Sequence, residues 1–232
     1  MRLPYALILV ASQAWASELV VSTTSGRVQG LADTSTPGID IPLKKWLGVR
    51  YAADTSGENR WRPLQPVTAK EKEGVFNATA YGPACFQGRV DGGNGKSIQS
   101  EDCLRINIVA PHNASGLPMY LYSHGGGFDS GASSDPKIDG SYLVAKVHLH
   151  CLVSDLVLSR FREGHRVRKL QLPPFSFRIS PCTGAGETQN LGLLDTRAAV
   201  LWLRRNVAKF GGDPEKITLG GESVGAGVLA QE

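Results

Sequence analysis

The stretch Ile217-Thr218-Leu219-Gly220-Gly221-Glu222-Ser223-Val224-Gly225 decides the fold. Ile217 to Leu219 reads as a short strand, Val224 to Ala230 can start a helix, and Gly221 to Gly225 between them fits G-x-S-x-G. Strand, tight turn and helix in that order form an elbow that presents a serine for attack. An alcohol at its free pKa is a weak nucleophile and needs an adjacent base. The turn lifts its oxygen clear of the sheet, and small residues on both sides keep the turn free of clashes. Ser223 is therefore the candidate nucleophile. The Val224 N–H, at the start of the new helix, is a candidate oxyanion donor. Elbows of this kind draw their acid and histidine from later in the chain. Only nine residues follow Ser223. The expectation is an α/β chain truncated after the nucleophile elbow.

Working outward, Asn190 to Phe210 is the clearest helix. Leu191, Leu194, Ala198, Leu201 and Val207 fall near a 3.6-residue period, with Trp202 and Leu203 widening the apolar face. Gly211-Gly212 stops it and Asp213-Pro214 makes a turn. Further upstream, Met119 to Ser123 reads as a strand running into His124-Gly125-Gly126-Gly127-Phe128. Successive glycines let backbone N–H groups turn toward a developing oxyanion without side-chain clash. Gly126 and Gly127 are the candidate donors, with Val224 as the third. A phosphate-binding loop would require Lys-Ser or Lys-Thr after the glycines, and the sequence has neither there.

Other polar residues are better read as structural. His124 sits beside the glycine turn, where its ring is placed to order the loop. Glu222 adjoins the serine and cannot stand behind a histidine approaching it. Asp195, Asp213 and Trp202 read as fold residues. His148 and His150 share a strand face, but no third ligand accompanies them, so no metal is expected.

Elsewhere the chain is β-rich. Glu18 to Leu31 reads as a hairpin around Thr24-Ser25-Gly26, and Ile41 to Tyr51 holds another strand. Tyr81 to Ser100 is a glycine-rich loop. Cys103 to Ala110 alternates, with Leu104, Ile106 and Ile108 on one side. Residues 146–184 fit badly. Val147 to Leu158 suggests a strand pair, but Ser159 to Lys169 has no convincing period, and Pro173, Pro174 and Pro181 interrupt the remainder. This span holds seven Lys or Arg against two acids, a net charge of +5 in a chain of net +4. The basic balance belongs to one segment, without the patterned surface or module that nucleic-acid binding needs.

Residues 1–16 read as a secretory signal: Arg2, an apolar run from Pro4 to Ala11, and the cleavage site Ala14-Trp15-Ala16. No later run reaches the length of a membrane span. A secreted, extracellular protein without stable membrane insertion is expected. Asn77-Ala78-Thr79 and Asn113-Ala114-Ser115 are N-glycosylation acceptors that suit that route and predict exposed loops. An oxidising compartment lets disulfides persist, and the four cysteines allow three connectivities.

Taken in order, these segments resemble the N-terminal part of the type-B carboxylesterase family, which includes cholinesterases and fungal secreted lipases. Leu47-Gly48-Val49-Arg50-Tyr51-Ala52 with Arg60-Trp61 resembles its early G-I-P-Y-A and R-F segment. Pro83-Ala84-Cys85-Phe86-Gln87 and Ser100-Glu101-Asp102-Cys103-Leu104-Arg105-Ile106-Asn107 resemble its first disulfide loop and E-D-C-L-x-L-N segment. Asn190-Leu191-Gly192-Leu193-Leu194-Asp195, then Trp202, Asn206 and Phe210 to Pro214, lead into Gly221-Glu222-Ser223 as in the family.

The resemblance implies an α/β-hydrolase fold over residues 17–232. It implies hydrolysis of a small-molecule or lipid ester through an acyl-serine, without cofactor. It further implies a Cys85–Cys103 disulfide, Ser223 as nucleophile, and Gly126, Gly127 and Val224 as oxyanion donors. Three departures stand out. Val224 replaces the usual alanine, Asp54 falls where a proline pair is usual, and residues 146–184 replace a patterned strand and loop. A translated intron or shifted reading frame is the expectation for that span. The alternative function is non-catalytic binding on the same fold, as in cholinesterase-like adhesion proteins. The intact G-E-S-V-G counts against it.

Overall fold

The computed structural model describes residues 19–60, 62–87, 98–128, 130–147, 150–154 and 191–230, with 150–154 as backbone only. Residues 1–16, read above as a secretory signal, Trp61, the glycines 88–95, His148, His165, the cysteine at 182 and most of 146–184 lie outside the described residues.

Among the described residues, a six-stranded sheet organises the fold. Its strands are β3 (Leu31–Asp33), β4 (Leu43–Arg50), β8 (Arg105–Pro111), β9 (Leu117–Ser123), β10 (His150–Ser154) and β11 (Gly212–Gly221). They lie in the spatial order β11-β9-β10-β8-β4-β3. β9, β10 and β11 are parallel, while β3, β4 and β8 add antiparallel neighbours. The expected hairpin forms as β1 (Val20–Thr23) and β2 (Gly26–Gln29), with Thr23 opposite Gly26 and two turn residues between. It joins β5 (Val75–Asn77) in a small second sheet. Two short strands, β6 (Ala84–Cys85) and β7 (Gln99–Ser100), pair across the base of the glycine-rich loop.

The α-helices are α1 (Ser141–Val147), α2 (Leu191–Asn206) and α3 (Val224–Leu229) among the described residues. The first two cover opposite faces of the sheet. Val144 of α1 packs with Leu43 and Val109, and Tyr120 and Tyr122 of β9 lie on that side. Ala199, Trp202 and Leu203 of α2 pack with Trp46, Ile106, Ile108, Met119 and Leu121 on the other. Period-two alternation along β9 makes this sorting automatic. Phe210 closes the second core by an edge contact with Trp46, their ring centroids 5.0 Å apart.

Two sequence expectations change. The alternation in β8 predicts one buried side, yet all seven of its residues are buried. β8 lies between β4 and β10 and is covered on both faces. The polar residues this buries are paired: Arg105 donates to the Asp102 carboxylate at 2.8 Å, and Asn107 accepts from the Gly48 N–H at 2.7 Å and bonds the Ser133 hydroxyl at 2.6 Å. The buried face of α2 is also rotated from the predicted one. Leu194 and Leu201 are exposed, whereas Asp195, Thr196 and Asn206 are buried. Hydrogen bonding outweighs hydropathy on this face. Asn206 accepts from the Thr24 N–H at 2.8 Å and donates to the Thr24 hydroxyl and the Trp202 carbonyl, while Trp202 Nε1 donates to Ser25. Helix and hairpin are thereby tied together across 177 to 182 residues of chain. The helix stops where expected, at Gly211 with φ of 90°.

Within the span 146–184 the described residues hold one strand, β10, inside the Val147 to Leu158 stretch read as a strand pair, most of the rest of which lies outside the described residues. β10 inserts between β8 and β9, in register with Met119 to Ser123 on one side and Ile106 to Val109 on the other.

Candidate active site

The C-terminal ends of the three parallel strands lie level, with Gly221 opposite Ser123 and Ser123 opposite Ser154. Ligands of open α/β sheets bind outside this end. Two of the three strands run from here into the predicted motifs: β9 into the glycine turn, and β11 into the elbow.

At the elbow, β11 ends at Gly221 and α3 begins at Val224, leaving Ser223 at φ 52° and ψ −121°. A non-glycine residue held there carries strain of about 1–3 kcal/mol, tolerated only where its surroundings enforce it. Those surroundings are explicit. A Cβ on Gly221 would stand 2.7 Å from the Ser123 carbonyl oxygen and 2.7 Å from the Ala226 nitrogen. A Cβ on Gly225 would collide with the His124 carbonyl oxygen and stand 2.5 Å from that of Ser123. Both glycines of G-x-S-x-G are therefore steric requirements of seating the elbow on the end of β9. The Glu222 N–H donates to the Ser123 carbonyl at 3.1 Å, and the Gly225 N–H to the Glu222 carbonyl at 2.9 Å. Ser223 is exposed at the tip.

The glycine turn is shaped as closely. Gly126, Gly127 and Phe128 have φ of 123°, 65° and 61°. The Ser130 N–H closes the turn on the Gly126 carbonyl at 3.0 Å, and a Cβ on Gly126 would strike the Ser130 carbonyl. His124 is buried, with its Nδ1 2.8 Å from the Gly125 carbonyl oxygen, so its ring orders the turn. Gly131 lies against that ring: a Cβ there would be 2.5 Å from Nδ1. The two motifs meet where Gly125 approaches the carbonyl and side chain of Glu222, a Cβ there standing 3.1 to 3.4 Å away.

The Glu222 carboxylate also lies near the phenol of Tyr122 on the neighbouring strand. Burial pushes the Tyr122 phenol up, and the Glu222 charge adds to it. Glu222 belongs to this polar pair at the root of the elbow.

The remaining sequence candidates are spread over the fold. Cys85 and Cys103 are joined, across 18 residues of sequence. Asn77 and Asn113 are both exposed. Asn113 lies in the turn between β8 and β9, at the opposite end of the sheet from the elbow. Asn77 Oδ1 accepts from the Thr79 N–H and hydroxyl within its own triplet. Trp202 is a core residue and Asp195 is fully buried in the helix face. Among the described residues, no three His, Cys, Asp or Glu side chains are grouped to hold a metal ion, and no helix is long and apolar enough to cross a membrane.

Sequence reasoning missed Gln87 as a site residue. Its amide bonds both the N–H and the carbonyl of Gly131, at 2.8 Å each. A glutamine in a glycine-rich loop has no periodicity that marks such a contact.

A mixed sheet whose parallel strands end in a serine elbow and a glycine turn defines the α/β-hydrolase class. Comparison with known proteins agrees. The Carboxylesterase family profile matches residues 17–231. The para-nitrobenzyl esterase of Bacillus subtilis (strain 168) is 35% identical over 219 residues, which is 91% of this chain and 39% of that protein. A secreted lipase of Arthroderma benhamiae is 33% identical over 233 residues, 97% of this chain and 38% of the lipase. The solved structure of a thermophilic pNB esterase superposes with a TM-score of 0.74 at 33% identity, covering 92% of this chain and 40% of the esterase. This chain belongs to the carboxylesterase family and has the α/β-hydrolase fold. It spans about 40% of the length of these relatives.

Proposed function

We propose that this chain supplies the nucleophile and oxyanion-binding half of a carboxylic ester hydrolase acting on small-molecule or lipid esters. Ser223 attacks the ester carbonyl, the N–H groups of Gly126, Gly127 and Val224 hold the tetrahedral oxyanion, alcohol leaves, and water releases the acid from the acyl-serine. The observation that carries this reading is Ser223 at φ 52° on an exposed elbow beside the glycine turn. Family membership and relatives named as esterases and lipases support it.

Neither histidine with a described side chain serves as the base: His124 Nδ1 faces the Gly125 carbonyl, and His112 lies past the far end of β8. The base and its acid therefore come from outside the described residues. The 232-residue polypeptide by itself would hydrolyse esters negligibly, limited to what oxyanion donors provide alone. Residues 1–16 direct secretion, Asn77 and Asn113 accept glycans, and residues 146–184 derive from an intron or a shifted frame. A clean spliced message encoding residues 146–184 would sink the last of these.

The test is to express the longest reading frame that contains these residues and to follow hydrolysis of p-nitrophenyl butyrate with fluorophosphonate labelling. Turnover and a label on Ser223, both abolished by Ser223→Ala, are expected. A frame that turns over ester equally well with Ser223→Ala refutes the assignment.

A further inference from the structure

The Gln87 side chain reaches across 44 residues of sequence to the segment beyond the glycine turn. Its Oε1 accepts from the Gly131 N–H, and its Nε2 donates to the Gly131 carbonyl, both at 2.8 Å. One planar amide thus occupies both backbone groups of a single residue. Gln87 is itself fixed from two sides. Its N–H donates to Gln99 Oε1 at 3.0 Å, and its Nε2 also donates to the carbonyl of Cys85 at 3.1 Å. Cys85 is anchored by the disulfide to Cys103, beside buried Leu104 and β8.

Gly131 matters because of what it touches. It lies against the His124 ring, within van der Waals contact of Nδ1 and of the Gly125 carbonyl oxygen. Ser130, its neighbour, closes the turn on Gly126 through its N–H and its hydroxyl. The backbone on either side of this turn is therefore held at one point by the Ser130–Gly126 bond and at another by Gln87. Three residues in it, Gly126, Gly127 and Phe128, sit at positive φ. Glycines at such angles have no side-chain packing to hold them and many accessible alternatives. An outside clamp is what selects one arrangement.

We propose that Gln87 is a positioning residue for the oxyanion turn: it holds Gly131, and through it His124 and the Gly126–Gly127 N–H groups, in register with the elbow. The proposal rests on the catalytic reading for its consequence but not for its geometry. Oxyanion donors act by preorganisation, and removing one costs about 10²–10³-fold in kcat. Loosening the clamp misplaces donors without deleting them, so a loss of roughly 10- to 100-fold in kcat at unchanged KM is expected.

The experiment compares wild type, Gln87→Met and Gln87→Glu by hydrogen exchange of the 232-residue polypeptide, and by ester turnover of the longest reading frame. Gln87→Met keeps the side-chain length and removes both bonds. Gln87→Glu keeps an acceptor for the Gly131 N–H and loses the donor. Expected is at least about tenfold faster exchange across Gly125 to Ala132 in Gln87→Met and a smaller increase in Gln87→Glu. Exchange in β8 and the melting midpoint should not move. Should Gln87→Met fail to fold, the graded response of Gln87→Glu decides. Unchanged exchange at Gly131 overturns the clamp whether or not any ester is hydrolysed. Faster exchange with unchanged kcat in a working enzyme overturns the positioning role. Faster exchange in a protein that never turns over ester supports the clamp and sinks only the catalytic reading.

Discussion

Strands β8 and β11 flank the same parallel pair, and they could hardly be more different. All seven residues of β8 are buried, whereas in β11 only Gly212 is. β8 is paired on both sides, by β4 and β10, and both of its faces are covered. β11 pairs with β9 alone among the described residues. Around β4 and β8 gather the disulfide, the Trp46 core and the ion cluster in which Asp102 holds Arg50 and Arg105. Around β11 gather strained backbone and obligate glycines. Buried packing gathers in the first region, and the proposed nucleophile stands in the second. The second can hold a serine at positive φ because β9 beside it is seated, through β10, on the first.

The contrast between the two regions can be broken in several ways. The largest effect expected is chemical: in the polypeptide that turns over ester, Ser223→Ala should lower kcat by at least about 10³-fold. It should leave the melting midpoint within a few degrees. A comparable loss of stability would mean that the elbow is a structural element.

Next come paired truncations across the sheet. Ile106→Ala should destabilise by about 2–5 kcal/mol, as a fully buried aliphatic does. Leu219→Ala, on a half-buried strand, should cost clearly less. Denaturant titration of both variants checks this, and equal costs would erase the contrast between β8 and β11.

Removing the disulfide by Cys85→Ser with Cys103→Ser should cost about 3 kcal/mol by the loop-closure account. The same change should speed hydrogen exchange at Gly131 if Cys85 anchors the Gln87 clamp.

The smallest effect concerns acid. Burial alone would raise the Asp33 carboxyl. Its bonds from Lys45 at 2.7 Å, from Thr36 and from the Ser35 N–H outweigh that and hold it well below the usual carboxylate range. A folded pKa below the unfolded one means stability that is fully present above about pH 4 and lost as pH falls through the folded value. Asp33→Asn should cost about 2 kcal/mol at neutral pH and flatten that acid limb. Thermal melts between neutral and acid pH check this, and an unchanged acid limb in the variant would assign the loss to other carboxylates.

Much of this architecture is legible in the sequence, for identifiable reasons. The elbow, the glycine turn, the hairpin and the helix stop at Gly211 are each written within a few consecutive residues. Steric rules of φ and side-chain period act at that range. The buried face of α2 is misread because Asp195, Thr196 and Asn206 are polar. Their burial is made tolerable by partners such as Thr24, which no window around the helix contains. The full burial of β8 escapes for the same reason: alternation records one face, while covering the other is the work of elements far along the chain.

By itself, then, the sequence determined that a serine would stand on a strand-to-helix turn and that a glycine turn would precede it. Gly221, Gly225 and Gly126 admit no side chain there. The spacing of those glycines already marks the need for close backbone approach. Only the tertiary structure decided that β10 would slip between β8 and β9, that the Glu222 charge would come near the Tyr122 phenol, and that Gln87 would grip Gly131. Such contacts join residues that are neighbours in space and distant along the chain. Their free energy exists only once the sheet has brought them within hydrogen-bonding distance.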